Sequence, residues 1–153
     1  MREDNYRDIS AFGGLPIYLA VILVFFAIKN YTVVFQLALG LVLAYGLTTF
    51  FRLAYFKQRP EKQKYKNWWQ KIDASSFPSL HSIRAALLAV VFSVFFLNFL
   101  LYVMFAVAAL GVAVTRILLK RHDKIDAAAG LIIGLVIGCV VVSFNYSYFL
   151  AMA

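Results

Sequence analysis

Five long apolar segments make up most of this sequence. They run from about Ala11 to Ile28, Tyr31 to Tyr55, Leu80 to Leu97, Phe99 to Leu119, and Ile125 to Phe149. A helix needs about 20 predominantly apolar residues to cross a bilayer, and a chain that is 63% hydrophobic lies far from the composition of soluble proteins. The sequence therefore predicts an all-α, polytopic membrane bundle of about five transmembrane helices. We expect it to form a single domain over residues 1–153.

The lengths of the polar connections predict the topology of this bundle. Only Lys29 and Asn30 separate the first two segments, and only the neighbourhood of Asn98 separates the third from the fourth, so both pairs should be tight antiparallel hairpins. If the helices alternate in direction, three polar stretches share one side of the membrane, which we call the working face. They are the N-terminal segment 1–10, the interfacial loop 56–79 and residues 120–124.

The last apolar segment contains a strip of small residues. Gly130, Gly134 and Gly138 follow one another at a spacing of four, which places them on one face of a helix. Small residues in that arrangement let a second helix approach closely. This strip predicts helix packing rather than chemistry.

The net charge of +8 indicates a negatively charged partner. In a soluble protein such a charge would suggest nucleic acid, but here the basic residues lie between apolar segments. A phosphate-bearing lipid is therefore the expected partner, and nucleic acid is not. The stretch 57–77 interleaves four lysines with Tyr65, Trp68 and Trp69, which suits an interfacial flap beside a lipid entrance. An ordinary solvated loop is the alternative.

Three polar clusters on the working face follow a familiar order and spacing. They are Arg52 through Arg59-Pro60, then Pro78-Ser79-Leu80-His81, then Thr115-Arg116 followed by His122 and Asp126. The pattern resembles the signature of the type 2 phosphatidic acid phosphatase (PAP2) superfamily, Lys-x6-Arg-Pro, Pro-Ser-Gly-His and Ser-Arg-x5-His-x3-Asp. The chain departs from it at Arg52, Leu80 and Thr115, where the family has Lys, Gly and Ser. Leu80 is the largest change, because glycine permits close backbone approach to a phosphate.

The residue types in these clusters suit the binding of a phosphoryl group in transfer. Such a group spreads negative charge over its oxygens and needs fixed cations and N–H donors around it. Arg52, Arg59 and Arg116 would supply the cations, since a guanidinium binds phosphate oxygens in bidentate fashion and stays protonated. Ser79 and the amide of Leu80, near a predicted helix start, would add donors.

The two histidines of the chain fall where covalent phosphoryl transfer needs them. His122 would be the nucleophile, and if this stretch is helical, Asp126 lies on the same face and accepts the ring N–H. His81 would protonate the leaving group and then activate water to cleave the phosphohistidine. The resemblance implies the same roles. Arg84, one turn beyond His81, would contact the second phosphate of a diphosphate or, alternatively, extend its guanidinium to the membrane surface.

The resemblance implies a PAP2-like fold and a metal-independent membrane lipid phosphatase without a cofactor. Its substrate would be a lipid phosphomonoester or diphosphate, and polyprenyl diphosphates, phosphatidic acid and phosphatidylglycerol phosphate are all candidates. The alternatives are a lipid phosphotransferase and a catalytically silent membrane protein that binds phospholipid or serves as a subunit. Membrane members of the family commonly have six helices, so this chain would lack one, and a homodimer could compensate.

The distribution of basic residues predicts which compartment the site faces. Of the 15 Lys and Arg residues, only Lys29 lies on the face opposite the site. Setting aside Arg52, Arg59 and Arg116 as phosphate ligands leaves 11 on the working face. The positive-inside rule then places the working face on the cytoplasmic side of the cell membrane. Against this, relatives that recycle carrier-lipid diphosphates work on the outer face.

Overall fold

The structure, a computed structural model, describes residues 3–144, so the predicted end of the last segment at Phe149 lies outside the described residues. Seven helices follow one another within that range. They are α1 (Glu3–Ala11), α2 (Leu15–Ala27), α3 (Tyr31–Ala54), α4 (Trp68–Ala74), α5 (Leu80–Phe96), α6 (Phe99–Leu118) and α7 (Lys124–Ser143). The predicted all-α architecture is confirmed, and each of the five apolar segments contributes one long helix.

Four stretches of the described chain are long and apolar enough to cross a membrane. They are Glu3–Ala27, Tyr31–Ala54, Phe99–Leu118 and Lys124–Ser143. The first of these combines α1 and α2, so the predicted polar N-terminal segment is itself helical. The remaining apolar helix, α5, has 17 residues and packs against α3, α6 and α7. Its residues 82–89 are all buried, and apart from Ser82 and Arg84 they are apolar, as expected for a helix that is surrounded by others.

Both predicted hairpins are present. In each of them an asparagine begins the second helix, because the side chains of Asn30 and Asn98 accept a hydrogen bond from a backbone N–H in the first turn of α3 and α6. The preceding residues, Lys29 and Leu97, have φ angles of 60° and 47°. A left-handed residue followed directly by a capping asparagine reverses the chain within three residues or so.

The glycine strip of α7 packs against α5, so the predicted close helix contact is present; the structure identifies the partner helix. A Cβ atom on Gly130 would lie 2.6 Å from the carbonyl oxygen of Ser79, and one on Gly138 would lie 2.6 Å from the Cβ of Val90. Both distances are shorter than van der Waals contact, so only glycine fits. The close approach of the two backbones holds the start of α5 beside the start of α7, where the second and third polar clusters lie.

A methyl group added at this contact should destabilise the bundle. Gly134→Ala would place a Cβ against the backbone of Ile83 and should lower the thermal unfolding midpoint, because overpacking a close contact costs about 1–3 kcal/mol. Gly46→Ala is the matched control, since a Cβ there meets no atom of the described residues within 4 Å. The midpoints can be measured in detergent by size-exclusion chromatography after heating. Equal midpoints for the two variants would contradict the packing described here.

Candidate active site

Seven of the residues predicted to form the catalytic and phosphate-binding site line one cavity of about 570 Å³. They are Arg52, Arg59, Leu80, His81, Arg84, Arg116 and His122. The wall is completed by the start of α2, the last turns of α3 and part of α4, with Tyr45 and Trp69 among its aromatic residues. We call this space the arginine cavity. The structure thus brings all three sequence clusters together.

Helix ends position most of the charged side chains in the arginine cavity. Arg52 and Arg116 lie in the last turns of α3 and α6, and His81 lies in the first turn of α5. Cationic groups at helix C-termini interact favourably with the helix dipole. The amide of Leu80 is at the first position of α5, where a helix leaves its N–H groups without intrahelical acceptors.

Each of the three arginines predicted to bind phosphate is anchored by one hydrogen bond from a terminal nitrogen. The acceptors are the Ile72 carbonyl for Arg52 at 3.4 Å, the Asp73 carbonyl for Arg59 at 2.6 Å, and the Ser10 hydroxyl for Arg116 at 3.0 Å. The Nε atoms of all three are buried and have no partner among the described residues. A buried, charged donor without a partner is unfavourable, so the cluster is suited to an anion that would supply the missing acceptors.

The carboxylate nearest these arginines does not neutralise them. Asp73 lies on the cavity wall, but its side chain is 81% exposed, and its Oδ1 atom is 3.8 Å from Nη1 of Arg52. That contact is a weak, solvent-screened ion pair. The arginine cavity therefore keeps an excess of positive charge.

Arg84 is the most buried of the cavity arginines, with 3% of its surface exposed. Its Nε donates to the Gly13 carbonyl at 2.8 Å, and its Nη1 donates to the Tyr45 hydroxyl at 3.1 Å. The guanidinium is therefore held inside the protein, and the alternative that it extends to the membrane surface is wrong. Contact with a second phosphate stays a prediction.

His122 does not share a helix with Asp126, contrary to one sequence expectation. Asp123 and Asp126 form a reciprocal capping box that begins α7 at Lys124, which leaves His122 in the preceding loop. The His122 Nδ1 atom is 3.8 Å from Oδ2 of Asp126, a distance longer than a hydrogen bond. His122 Nδ1 is buried and has no hydrogen-bond partner among the described residues, so its bond to Asp126 stays a prediction.

Lys57, which the sequence reasoning missed, holds the two aspartates at the start of α7. Its Nζ atom is 2.5 Å from Oδ2 of Asp123 and 2.7 Å from Oδ1 of Asp126. Burial acts to lower the pKa of Lys57, but hydrogen bonds to the two carboxylates outweigh burial and raise the pKa. Hydrogen bonds from Lys57 likewise keep the pKa of Asp123 below its usual value despite partial burial. The sequence feature that could have identified Lys57 is its position inside the first cluster, two residues before Arg59.

Ser79 lies behind the cavity rather than on its wall. Its side chain is completely buried and its hydroxyl accepts a hydrogen bond from Ser82 at 2.9 Å, while its N–H donates to the Asp126 carbonyl at 3.1 Å. The bond to the Asp126 carbonyl ties the start of α5 to α7. Asp126 is also fully buried behind the wall. A direct contact of Ser79 with phosphate stays a prediction, whereas Leu80 does reach the cavity.

The flap predicted between the first two clusters contains the short helix α4. Trp69 is 74% exposed and also lines the arginine cavity, and its ring packs edge to face against Trp68. Exposed tryptophans are enriched at membrane interfaces. Contact of this flap with lipid stays a prediction.

Comparison with known proteins shows to which family this chain belongs. A profile of the PAP2 superfamily matches residues 33–149, which is more than half of the chain. The chain belongs to the PAP2 superfamily. No curated protein sequence matches it. Among solved structures, the crystal structure of Aquifex aeolicus LpxE is similar to this PAP2 protein, with a TM-score of 0.77. That similarity covers 93% of this chain and 86% of the other at 16% identity, and it is a likeness of fold.

The described residues of this PAP2 protein contain no group of three or more His, Cys, Asp or Glu side chains placed to hold a metal ion. The charges that line the arginine cavity come instead from guanidinium groups. Metal independence stays a prediction, to be tested with a chelator.

The imidazole of His122 should remain neutral at physiological pH. Burial lowers its pKa to about 3, the charges of Arg116 and Arg59 act in the same direction, and a backbone hydrogen bond with Ser76 opposes them only in part. With nitrogen-15 histidine in a His81→Gln variant, the ring signals of His122 should stay those of neutral imidazole from pH 8 to about pH 5.

A titration midpoint near the ordinary value of about 6.5 would contradict this account.

The difference between the pKa of His122 in the folded and in the unfolded chain also affects stability, because the unfolded chain binds the proton first as the pH falls. His122 therefore contributes stability above about pH 6.5, and that stability is lost as the pH falls towards the folded-state value of about 3.

Proposed function

We propose that this PAP2 protein hydrolyses a lipid phosphomonoester or diphosphate through a phosphohistidine, without a metal ion. One observation carries the proposal: buried arginines whose Nε donors have no partner within residues 3–144 surround a cavity that also exposes both histidines of the chain. Such a cluster supplies fixed positive charge where the oxygens of a transferring phosphoryl group need it. The histidines supply a nucleophile and an acid at the same place.

The first step transfers the phosphoryl group to His122. Its neutral Nε2 attacks the phosphorus while the bond from phosphorus to the lipid oxygen breaks, and His81 relays to that oxygen a proton that enters the site with the phosphate. Arg52, Arg59 and Arg116 bind the equatorial oxygens as their charge redistributes. The products of this step are a phosphohistidine and either a lipid alcohol or a lipid monophosphate.

The second step reverses the roles at the same two rings. His81, now neutral, takes a proton from water, and the water oxygen attacks the phosphorus as the bond to Nε2 of His122 breaks. Inorganic phosphate leaves. Asp126 stabilises the positively charged phosphoimidazole through Nδ1, and Lys57 fixes the position of that carboxylate.

The lipid class of the substrate is supported by the surroundings of the site. Four stretches of described helix are suited to a membrane, and the arginine cavity reaches Tyr45 of α3 and Trp69 of α4 beside its charged end. Polyprenyl diphosphates, phosphatidic acid and phosphatidylglycerol phosphate remain the candidates. Arg84 would meet the second phosphate of a diphosphate, since it lies on the same wall. The homodimer stays a prediction.

Phosphate release by the purified protein tests the reaction. In EDTA, the wild type should release phosphate from at least one member of a panel of lipid mono- and diphosphates, and vanadate should inhibit it as a transition-state analogue. His122→Ala should lower kcat by at least about 1,000-fold, whereas His81→Ala should accumulate a phosphoenzyme. Ser143→Ala is the matched control, because Ser143 is exposed and its hydroxyl bonds within its own helix.

Three outcomes separate the alternatives. A phosphoenzyme that persists in His122→Ala would refute the nucleophile, and activity that EDTA removes and Mg²⁺ restores would refute the metal-free reaction. Transfer to an added alcohol in preference to water would favour a phosphotransferase. Absence of turnover on the whole panel would favour the silent protein, for which Leu80 in place of the family's glycine is the specific sign.

We also propose that the site faces the cytoplasm, on the strength of the basic residues around it. Single cysteines at Lys64 and Lys29, in a Cys139→Ser background, can be labelled in whole cells with a membrane-impermeant thiol reagent. Lys64→Cys should be protected and Lys29→Cys labelled, with labelling of both after permeabilisation as the control. The reverse pattern would place the site on the outer face and favour recycling of a carrier lipid.

A further inference from the structure

The N-terminal helix α1 packs against α6 through an unusual contact. Of its nine residues only Ser10 is buried, with 4% of its surface exposed. A surface helix ordinarily docks by burying a stripe of apolar side chains, because that burial provides the stabilisation. Tyr6 and Ile9 of α1 are half-buried, and the most buried position is occupied by a hydroxyl group rather than by an apolar side chain.

The hydroxyl of Ser10 is the fixed acceptor for Arg116. Nη1 of Arg116 donates to Ser10 Oγ at 3.0 Å, between residues that are 106 positions apart in the chain. The Nε of Arg116 is buried beside the arginine cavity and has no partner in the part of the chain that the structure describes. One edge of the guanidinium is therefore held by α1 while other donors stay available to a phosphate.

A neutral acceptor suits this position better than a carboxylate. A carboxylate would neutralise Arg116 and compete with the phosphate for its bidentate donors. The acidic residues nearby are each paired elsewhere: Glu3 with Arg7 at 3.0 Å and Glu61 with Arg121 at 3.4 Å. All four line a second, polar cavity of about 340 Å³ whose wall also includes Ser10, His81 and Arg116.

Backbone contacts hold the residues immediately after α1 against the site, and they fix the position of Ser10. The carbonyl of Gly13 accepts the Nε hydrogen bond of Arg84 at 2.8 Å. A Cβ on Gly13 would lie 2.6 Å from the carbonyl oxygen of His81, so the backbones touch and only glycine fits. Two neighbouring points of the N-terminal segment, Ser10 and Gly13, therefore hold two cavity arginines.

We propose that Ser10 is a positioning residue that orients Arg116 for phosphate binding, and that α1 is thereby part of the active site. This segment lies outside residues 33–149, which the family profile matches, so the sequence signature does not include it. The inference rests on the proposed function for its kinetic readout, but its binding readout is independent of turnover.

The affinity for vanadate, measured by thermal shift of the purified full-length protein, tests the inference. Ser10→Ala should weaken vanadate binding about tenfold, as expected for loss of one hydrogen bond to a charged group, and should lower kcat/KM by a similar factor. Ser10→Thr keeps the acceptor and should restore both values. Ser93→Ala is the control, because that hydroxyl bonds to Ala89 within α5 and lies outside the residues that line either cavity.

A double mutant separates positioning from a merely structural role. In an Arg116→Ala background, Ser10→Ala should cause no further loss of vanadate affinity, because its effect passes through Arg116. An additive loss, or a lower unfolding midpoint for Ser10→Ala with unchanged vanadate affinity, would overturn the inference. A wild type that binds vanadate but releases no phosphate would refute the hydrolysis alone, whereas a wild type that fails to bind vanadate would refute both.

Discussion

The close packing of α5 against α7 is the contact on which the site depends. Only glycines on α7 permit it, and it places the Ser79 amide within hydrogen-bond distance of the Asp126 carbonyl. Through this one bond the cluster that contains His81 is joined to the cluster that contains His122. A larger residue in the strip would separate the two histidines as well as weaken the bundle, since both effects follow from the distance between the same two backbones.

The charges of the site are arranged so that the arginines remain available to bind a phosphate. Their fixed partners are neutral: backbone carbonyls for Arg52, Arg59 and Arg84, and a hydroxyl for Arg116. The buried carboxylate of Asp126 is paired with Lys57 instead. Neutral acceptors fix the direction of a guanidinium without removing its charge, which leaves the electrostatic attraction to be satisfied by a phosphate.

The hairpin turns and the residues of the candidate site lie at opposite ends of the bundle. The hairpin turns at Asn30 and Asn98 carry little besides helix caps, whereas the opposite ends of the same helices carry Arg52, His81 and Arg116. This separation follows from physics, because charged side chains are unfavourable within the hydrocarbon region and concentrate where helices leave it. The phosphate of a membrane lipid lies at that same depth, while its tail remains in the apolar region.

The sequence by itself determined the helical bundle, both hairpins, the glycine contact and the family, because apolar length, asparagine caps, small-residue spacing and short motifs are local properties of a chain. It also identified seven of the residues that line the arginine cavity. The tertiary structure decided which groups hold them. The Ser10 to Arg116 bond joins residues 106 positions apart, and Lys57 reaches Asp126 across 69 positions. Such partners depend on how helices pack in three dimensions, and no local pattern of residues encodes them.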